Sequence, residues 1–244
     1  MQKHFKIGEH VLCEPDYLQV AQWARDAKTN PDDLLKGILI VEVNGEPINP
    51  IVDGKIRGID MSGRGLKILN LSNLNQLTEL RCSENQLTKL DLSNLNQLEK
   101  LYIYGNNIKL INVSHLTKLT VLHCSQNQLS ALDVSNLINL RELWCNESNL
   151  KELDVSNLNR IVELRCSRNQ LTKLNVSNLT KLRELHCSVN QLDELDVSNL
   201  IQLEKLYCYE NKLANLDVSK LNNLQLINYD INKTNLVKNQ EQDF

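Results

Sequence analysis

Two pairs of adjacent residues in this chain of 244 have the types that nucleophilic chemistry requires. His123 precedes Cys124 and His186 precedes Cys187, and a cysteine hydrolase needs its thiol and base in hydrogen-bond contact. Both pairs lie where the sequence predicts a β-strand, in which neighbouring side chains point to opposite faces. Each imidazole is therefore directed away from the thiol that follows it. The pairs do not predict catalysis, and the sequence contains no GxxxxGKS/T, GxSxG or HExxH motif.

The cysteines could instead bind a metal or form disulfides. Six of the seven recur at one position of a repeating pattern, namely Cys82, Cys124, Cys145, Cys166, Cys187 and Cys208. Ile103 occupies the slot where a further cysteine is missing, which indicates a space-filling position. Metal ligands must converge from several directions, and a disulfide between parallel neighbouring strands would distort the sheet. We expect buried, reduced thiols, no metal and no cofactor, with Cys13 in the core of the N-terminal region.

These positions belong to a repeat of 21 residues. The segment Leu80-Arg-Cys-Ser-Glu-Asn-Gln-Leu87 recurs from Leu122, Leu164 and Leu185, and the consensus is L-x-C-S-x-N-Q-L-x-x-L-D-V-S-N-L-x-x-L-x-x. Units begin at Ile59, Leu80, Leu101, Leu122, Leu143, Leu164, Leu185, Leu206 and, in decayed form, Ile227. Leucine and asparagine make up 46 and 32 of the residues, a bias typical of repeat proteins.

The pattern resembles the leucine-rich repeat. Its length and the cysteine at its third position are most similar to the bacterial class typified by internalin J, whose inward cysteines form a ladder. The resemblance implies an α/β fold: a right-handed, curved solenoid with a parallel β-sheet on the concave face and short helical or 3₁₀ turns on the convex face. The resemblance does not by itself assign a function to this chain. We see neither a signal sequence nor a wall-anchoring tail.

The sixth position predicts a second ladder inside the solenoid. An asparagine there can bond the backbone groups that a turn leaves unpaired. The column holds Asn85, Asn106, Asn127, Asn169, Asn190, Asn211 and Asn232. Arg64 and Ser148 interrupt it, so we expect a variant first unit and an altered or wetter turn in the fifth.

The two ends do not follow the repeat, and an open solenoid end would expose apolar core. We predict an α/β N-terminal cap over residues 1–58, eight repeats over 59–226, and a decayed repeat with a C-terminal cap and frayed tail over 227–244. In the cap, Glu14-Pro15-Asp16 predicts a helix start, followed by an apolar stripe from Tyr17 to Ala27, and Asn44-Gly45 predicts a hairpin. A small interaction domain is the alternative for this segment.

The second position of each unit points out of the predicted concave sheet, where packing does not constrain it. It holds Arg81, Tyr102, His123, Trp144, Arg165, His186 and Tyr207, and the fourth position adds Tyr104 and Tyr209 on the same face. Such side chains are enriched at binding hot spots, so we predict a protein-binding surface. The charges just before this row alternate in sign, which predicts a mixed rim that suits a protein partner. The alternative is that the side chains cover one another, with Arg165 over Trp144.

Charge and hydropathy limit the partners. The net charge of −3 without clustered Lys or Arg disfavours nucleic acids and anionic membranes. No export signal and no run of 18 apolar residues is visible, so we expect a cytoplasmic monomer.

The predicted function is non-catalytic recognition of a protein or peptide on the concave face. The alternative is the sensor or targeting part of a larger signalling or host-directed effector protein, and a native reading frame ending at Phe244 would favour the former.

Overall fold

The repeats build one parallel β-sheet of nine strands. The computed structural model describes residues 3–7, 10–26, 30–32, 34, 39, 42–43, 46–47, 51–240 and 242. Each strand holds three residues and pairs in register with the next unit, as in Ile59 with Leu80 and Leu80 with Leu101. The strands are β7 (Gly58–Asp60), β8 (Glu79–Arg81), β9 (Lys100–Tyr102), β10 (Val121–His123), β11 (Glu142–Trp144), β12 (Glu163–Arg165), β13 (Glu184–His186), β14 (Lys205–Tyr207) and β16 (Leu226–Asn228).

The inward face of this sheet carries the predicted cysteine ladder. All six ladder cysteines are free thiols with at most 1% of their surface exposed, and Ile103 fills its slot fully buried. Leucines of the same units, such as Leu122 and Leu129, complete the core. Burial raises the pKa of Cys82, Cys124, Cys166 and Cys208 to about 12, because a desolvated thiolate is unfavourable. The prediction of buried, reduced thiols is confirmed.

The asparagine ladder is confirmed at six positions. In Asn127, Oδ1 accepts the N–H of Ile108 at 3.1 Å, and Nδ2 donates to the carbonyls of Ile103 and Cys124 at 2.9 and 3.0 Å. Each amide thus joins its own turn to the turn of the preceding unit. The same set of bonds recurs at Asn85, Asn106, Asn169, Asn190 and Asn211.

Asn232 was wrongly predicted as the seventh member of this ladder. It is exposed, because the chain leaves the repeat path after β16 and forms a turn over residues 231–233. Thr234 is buried instead, and its hydroxyl donates to the carbonyl of Leu213 at 2.8 Å. The Asp230 carboxylate accepts the N–H of Asn211 at 3.3 Å. Side chains other than an asparagine therefore close the last turn.

The fifth position adopts the left-handed conformation, which the sequence analysis missed. The φ angles at non-glycine members lie between 51° and 56°. They are Glu84, Gln126, Glu147, Arg168, Val189 and Glu210, with Gly63 and Gly105 in the same column. An L-residue is strained in this region, and a β-branched side chain most of all. A ladder amide follows each of these turns except in the first and fifth units, where Arg64 and Ser148 occupy the sixth position.

We expect Val189→Gly to stabilise the protein by about 1 kcal/mol, because it relieves the left-handed strain of a β-branched residue. Gly105→Val should cost a similar amount, since a Cβ at Gly105 would meet Glu84 only at an ordinary 3.5 Å and conformation alone would oppose it. Urea midpoints of the two variants measure this. Shifts of the same sign would contradict it.

On the opposite side of the solenoid each unit forms single turns closed by bonds three residues apart. In the second unit the N–H of Leu95 donates to Leu92, and that of Leu98 donates to Leu95, at 2.9 and 3.0 Å. The Asp91 carboxylate accepts the N–H of Ser93 at 2.9 Å and starts these turns. The expected 3₁₀-type turns are present, and the described repeat residues contain no continuous helix.

The N-terminal region begins with an antiparallel pair, β1 (His4–Ile7) and β2 (His10–Cys13), followed by α1 (Glu14–Asp26). The helix starts where Glu14-Pro15-Asp16 predicted. Val20, Ala21 and Ala24 of the predicted stripe are buried and Tyr17 is half-buried, while Ala27 lies outside the described residues. Trp23, which the stripe omitted, is also buried and donates its indole N–H to the carbonyl of Asn70 at 3.2 Å.

Cys13 lies fully buried at the junction with the repeats. Its Sγ donates to the buried carboxylate of Asp16 at 3.3 Å, and that carboxylate also accepts the N–H of Ile56 at 2.5 Å.

Four short strands follow the helix: β3 (Glu42–Val43), β4 (Glu46–Pro47), β5 (Ile51–Val52) and β6 (Lys55–Ile56). The antiparallel pairing of β3 with β4 flanks Asn44-Gly45, which lies outside the described residues. Leu39 bridges Ile59 at the first edge of the large sheet.

The C-terminal segment is more ordered than predicted. Instead of a frayed tail after Lys233, β17 (Asn235–Val237) pairs in parallel with β15 (Asn215–Asp217). Gln242 is buried, and its Nε2 donates to the carbonyls of Val218 and Leu221 at 2.9 and 3.0 Å. A polar side chain thus satisfies backbone groups of the last turns, which composition alone did not reveal.

Candidate protein-binding surface

The predicted binding row follows the third residue of strands β8 to β14. The in-register pairing of these strands aligns the seven side chains across the outward face of the sheet. We call this set the stacked row: Arg81, Tyr102, His123, Trp144, Arg165, His186 and Tyr207. Neighbouring strands lie about 4.8 Å apart, which is close to the distance at which planar groups stack. The register therefore brings all seven together.

Members of the stacked row cover one another, as the alternative interpretation proposed. The rings of His123 and Trp144 stack with centroids 3.8 Å apart, and the Arg165 guanidinium lies 4.2 Å from the Trp144 centroid. Tyr102 meets His123 edge-on at 5.0 Å, and Arg81 lies 5.3 Å from the Tyr102 centroid. Both faces of the Trp144 indole are thus occupied within the protein. A partner can reach the edge of this ring but cannot stack on it.

The charges that precede the stacked row along the strands form ion pairs with the row and with one another. The first and third residues of a strand share a face, so these side chains lie beside the row. Arg81 pairs with the buried Glu79 at 2.6 Å, and Lys205 pairs with Glu184 at 2.5 Å. Arg165 pairs with Glu163 and, at 3.7 Å, with Glu184. The cations of the row are largely neutralised by the protein itself.

The two histidines of the stacked row are neutral at pH 7. Burial, together with the nearby Arg165 charge, lowers the pKa of His123 to about 4. Burial and Arg165 also lower the pKa of His186. His123 Nε2 lies 3.2 Å from a carboxylate oxygen of Glu142. With a neutral imidazole this contact is a hydrogen bond, and it leaves the negative charge of Glu142 uncompensated.

The two tyrosines at the fourth position are freer than the stacked row. Tyr104 is 37% exposed and donates its hydroxyl to Glu84 at 3.1 Å, and Tyr209 is half-buried. Between them the fourth position holds three partly exposed polar side chains, Ser125, Asn146 and Ser167, and the buried Ser188. We call the surface formed by these three residues and the flanking tyrosines the trough. It runs across the strands beside the stacked row.

The described residues contain no arrangement that predicts catalysis. Among them no group of three or more His, Cys, Asp or Glu side chains could hold a metal ion. Cys124 is fully buried on the inward face while its neighbour His123 stacks on the outward face, as alternation predicts. Nor does the described part of the chain include a helix that is long and apolar enough to span a membrane.

Comparisons with known proteins bear on the class of the repeat. No protein-family model and no curated protein sequence matches the chain. Its structure is similar to the functional domain of InlJ from Listeria monocytogenes, which includes a cysteine ladder. The two sequences are 32% identical, the match covers 72% of this chain and 44% of that chain, and the TM-score is 0.65. Internalin InlC2 from the same organism is 22% identical, with 89% and 93% covered and a TM-score of 0.68, which shows the fold alone.

The cysteine ladder shared with InlJ decides the class. The chain is a leucine-rich-repeat protein of the internalin-J-like repeat class. This leucine-rich-repeat protein spans less than half of the InlJ chain that it matches. It is also similar to the plant peptide hormone receptor RGFR1, solved in complex with RGF2, with 26% identity, 68% of this chain and 30% of that chain covered, and a TM-score of 0.60.

Proposed function

We propose that this leucine-rich-repeat protein is a non-catalytic recognition module, a monomer that binds a protein or peptide on its concave face. The observation that carries the proposal is the outward face of the nine-stranded sheet, which presents a row of large side chains and, beside it, the exposed Tyr104 and the half-buried Tyr209. Packing of the core does not require residues of this size there. Tyrosine and arginine are the residue types that most often anchor protein interfaces.

Two properties of the surface support a preorganised site. The stacked row is held by ring contacts and ion pairs, so its side chains lose little conformational freedom on binding. RGFR1, a structural neighbour, is a peptide hormone receptor, which adds support by analogy. The surface has few uncompensated cations, so a nucleic acid is disfavoured as a partner.

The test uses the two tyrosines that flank the trough. We expect the double variant Tyr104→Ala with Tyr209→Ala to reduce partner capture on immobilised protein by tenfold or more, because removing an interface tyrosine typically costs about 1–2 kcal/mol. The urea midpoint should change little, since neither side chain lies in the core. Trp144→Ala is a poorer probe, because it would also open a gap between His123 and Arg165.

The matched control is the double variant Ile68→Ala with Leu110→Ala. These side chains are 83% and 70% exposed and lie outside the strands and outside the trough. Capture, quantified by mass spectrometry from cell extract, should be unaffected by this control. A partner lost with the control and retained by the tyrosine variant would place the binding site elsewhere and contradict the proposal.

A second candidate is that the chain forms the sensor or targeting part of a larger signalling or host-directed effector protein. The chain matches 44% of the InlJ domain and 30% of the RGFR1 chain, which is compatible with a part of a larger protein, whereas it covers 93% of InlC2. Determining the native reading frame separates the two candidates. A further domain encoded in frame would support the second, and its absence would support the free-standing module.

A further inference from the structure

The two edges of the nine-stranded sheet are covered differently. At the first edge, Leu39 from the N-terminal region bridges Ile59 of β7. At the last edge, β16 pairs with β14 alone among the described strands. The described C-terminal residues lie elsewhere, because Asn239 and Gln242 bond backbone carbonyls of residues 218–221 and β17 pairs with β15. The described part of the chain therefore leaves the outer edge of β16 uncovered.

The backbone groups on this edge follow from the register of the strands. The carbonyl of Asn228 accepts the N–H of Cys208 at 2.8 Å, so Asn228 bonds toward β14. Alternate residues of a strand bond to opposite sides, so the N–H and C=O of Ile227 and the N–H of Tyr229 point outward. Neither N–H has a hydrogen-bond partner among the described residues. In the preceding units the equivalent groups bind the next strand.

The surface around the outer edge of β16 is apolar. Leu226 and Ile231 are 43% and 76% exposed, and Ile227 and Tyr229 pack against the core while part of each remains exposed. A polar outer face normally closes the end of a solenoid. Residues 225–229 contain neither a charged side chain nor a proline, the two devices that commonly prevent strand addition at an open edge.

We propose that the outer edge of β16 binds an extended, apolar segment of a protein partner as a tenth strand of the sheet. The outward N–H and C=O groups need a partner whose own backbone groups are available, which an extended segment offers and a helix does not. Alternate side chains of the added strand contact Ile227 and Tyr229 on the core side of the sheet, so these side chains are apolar. A charged side chain there would be desolvated without a counterion.

This contact goes beyond the proposed function. It lies at the end of the solenoid, and neither the trough nor the stacked row takes part in it. The double variant Tyr104→Ala with Tyr209→Ala should therefore leave strand addition at β16 unchanged. The two proposals can accordingly fail separately.

The experiment selects linear peptides of random sequence, displayed on phage, on the full immobilised chain. We expect peptides enriched about threefold or more in apolar residues at alternate positions, relative to the unselected library. Amide hydrogen exchange, measured residue by residue by NMR, then reports backbone pairing. A saturating selected peptide should slow exchange of the Ile227 and Tyr229 N–H groups by tenfold or more. The N–H of Cys187, which already donates to the Tyr207 carbonyl at 2.9 Å, should exchange at an unchanged rate.

A charge placed on the edge provides the second readout. Leu226→Lys should weaken a selected peptide by tenfold or more, because strand addition would bury the new ammonium group beside apolar side chains. The matched control is Ile201→Lys, at an exposed position in a turn outside the strands, and it should change affinity by less than about twofold. Both side chains are exposed in the free protein, so the urea midpoints of the two variants should match that of the wild type.

Three outcomes would overturn the inference. The first is a selection that yields no peptide sensitive to Leu226→Lys. The second is a set of selected peptides that leave exchange of the Ile227 and Tyr229 N–H groups unchanged, which would place their binding elsewhere. The third is a free protein that sediments as a dimer, with both N–H groups already protected and the dimer lost in Leu226→Lys, because a second copy would then occupy the edge.

Discussion

Raising the pH from 7.5 to 10 is expected to destabilise this leucine-rich-repeat protein by several kcal/mol. Burial raises the pKa of four ladder thiols to about 12 and shifts Cys145 and Cys187 in the same direction, against 9.0 for an exposed thiol. A group whose folded pKa is raised contributes stability that is complete below the unfolded pKa and is lost as pH rises toward the folded pKa. The loss therefore begins near pH 9 and continues toward pH 12.

The size of this effect follows from proton linkage. At pH 10 each exposed thiol of the unfolded chain gains about 1.4 kcal/mol by ionising, while the buried thiol stays protonated. Six independent thiols would lose about 8 kcal/mol in total, which is comparable with the whole stability of many domains. Urea unfolding at pH 7.5, 9 and 10 measures it. The double variant Cys124→Val with Cys166→Val should lose about a third less between pH 7.5 and 10, and an unchanged loss would show that the thiols are not responsible.

The second large effect concerns the asparagine ladder. We expect Asn169→Ala to cost about 3–5 kcal/mol, because it removes bonds to Leu150 N–H at 3.1 Å and to the carbonyls of Cys145 and Cys166 at 2.9 and 3.0 Å. Leu150 is fully buried, so its N–H would be left without a partner. The free energy of unfolding in urea gives the cost. A loss below about 1 kcal/mol would mean that the ladder is not a structural support.

Ser148 provides the reverse test within the same column. It is buried, its hydroxyl has no hydrogen-bond partner among the described residues, and the N–H of the fully buried Leu129 lacks the bond that an asparagine would provide. Ser148→Asn should restore the column and stabilise the protein by about 1–2 kcal/mol. If it destabilises the protein instead, the fifth unit cannot hold an amide at this position.

Strict periodicity made the solenoid and its two ladders predictable. A residue type that recurs every 21 positions must occupy equivalent sites, and strand alternation then assigns each column to a face. This argument placed Cys166 inward and Trp144 outward without any knowledge of their contacts. It failed at Asn232, where the repeat decays and the spacing no longer constrains the path of the chain.

The features that were missed depend on contacts that spacing does not encode. The left-handed fifth position is occupied mostly by residues that are not typical turn formers, such as Glu84 and Val189. Gly63 and Gly105 in the same column were the signal that could have revealed it. The stacked row was predicted as a surface with a mixed-charge rim beside it, but spacing did not reveal that these charges pair with the row itself, as Glu79 does with Arg81. The extent to which the side chains of the stacked row cover one another depends on their directions, which the sequence does not give.

Hydroxyl-radical footprinting of the protein with and without a bound partner tests the central claim, binding on the concave face, most directly. Oxidation of Tyr104 and Tyr209 should fall on binding, because both side chains flank the trough. Oxidation of Ile68 and Leu110, which are 83% and 70% exposed outside it, should stay the same. Protection of Ile68 and Leu110, or of Val11 and Leu18 in the N-terminal region, with both tyrosines still fully reactive would contradict binding on the concave face.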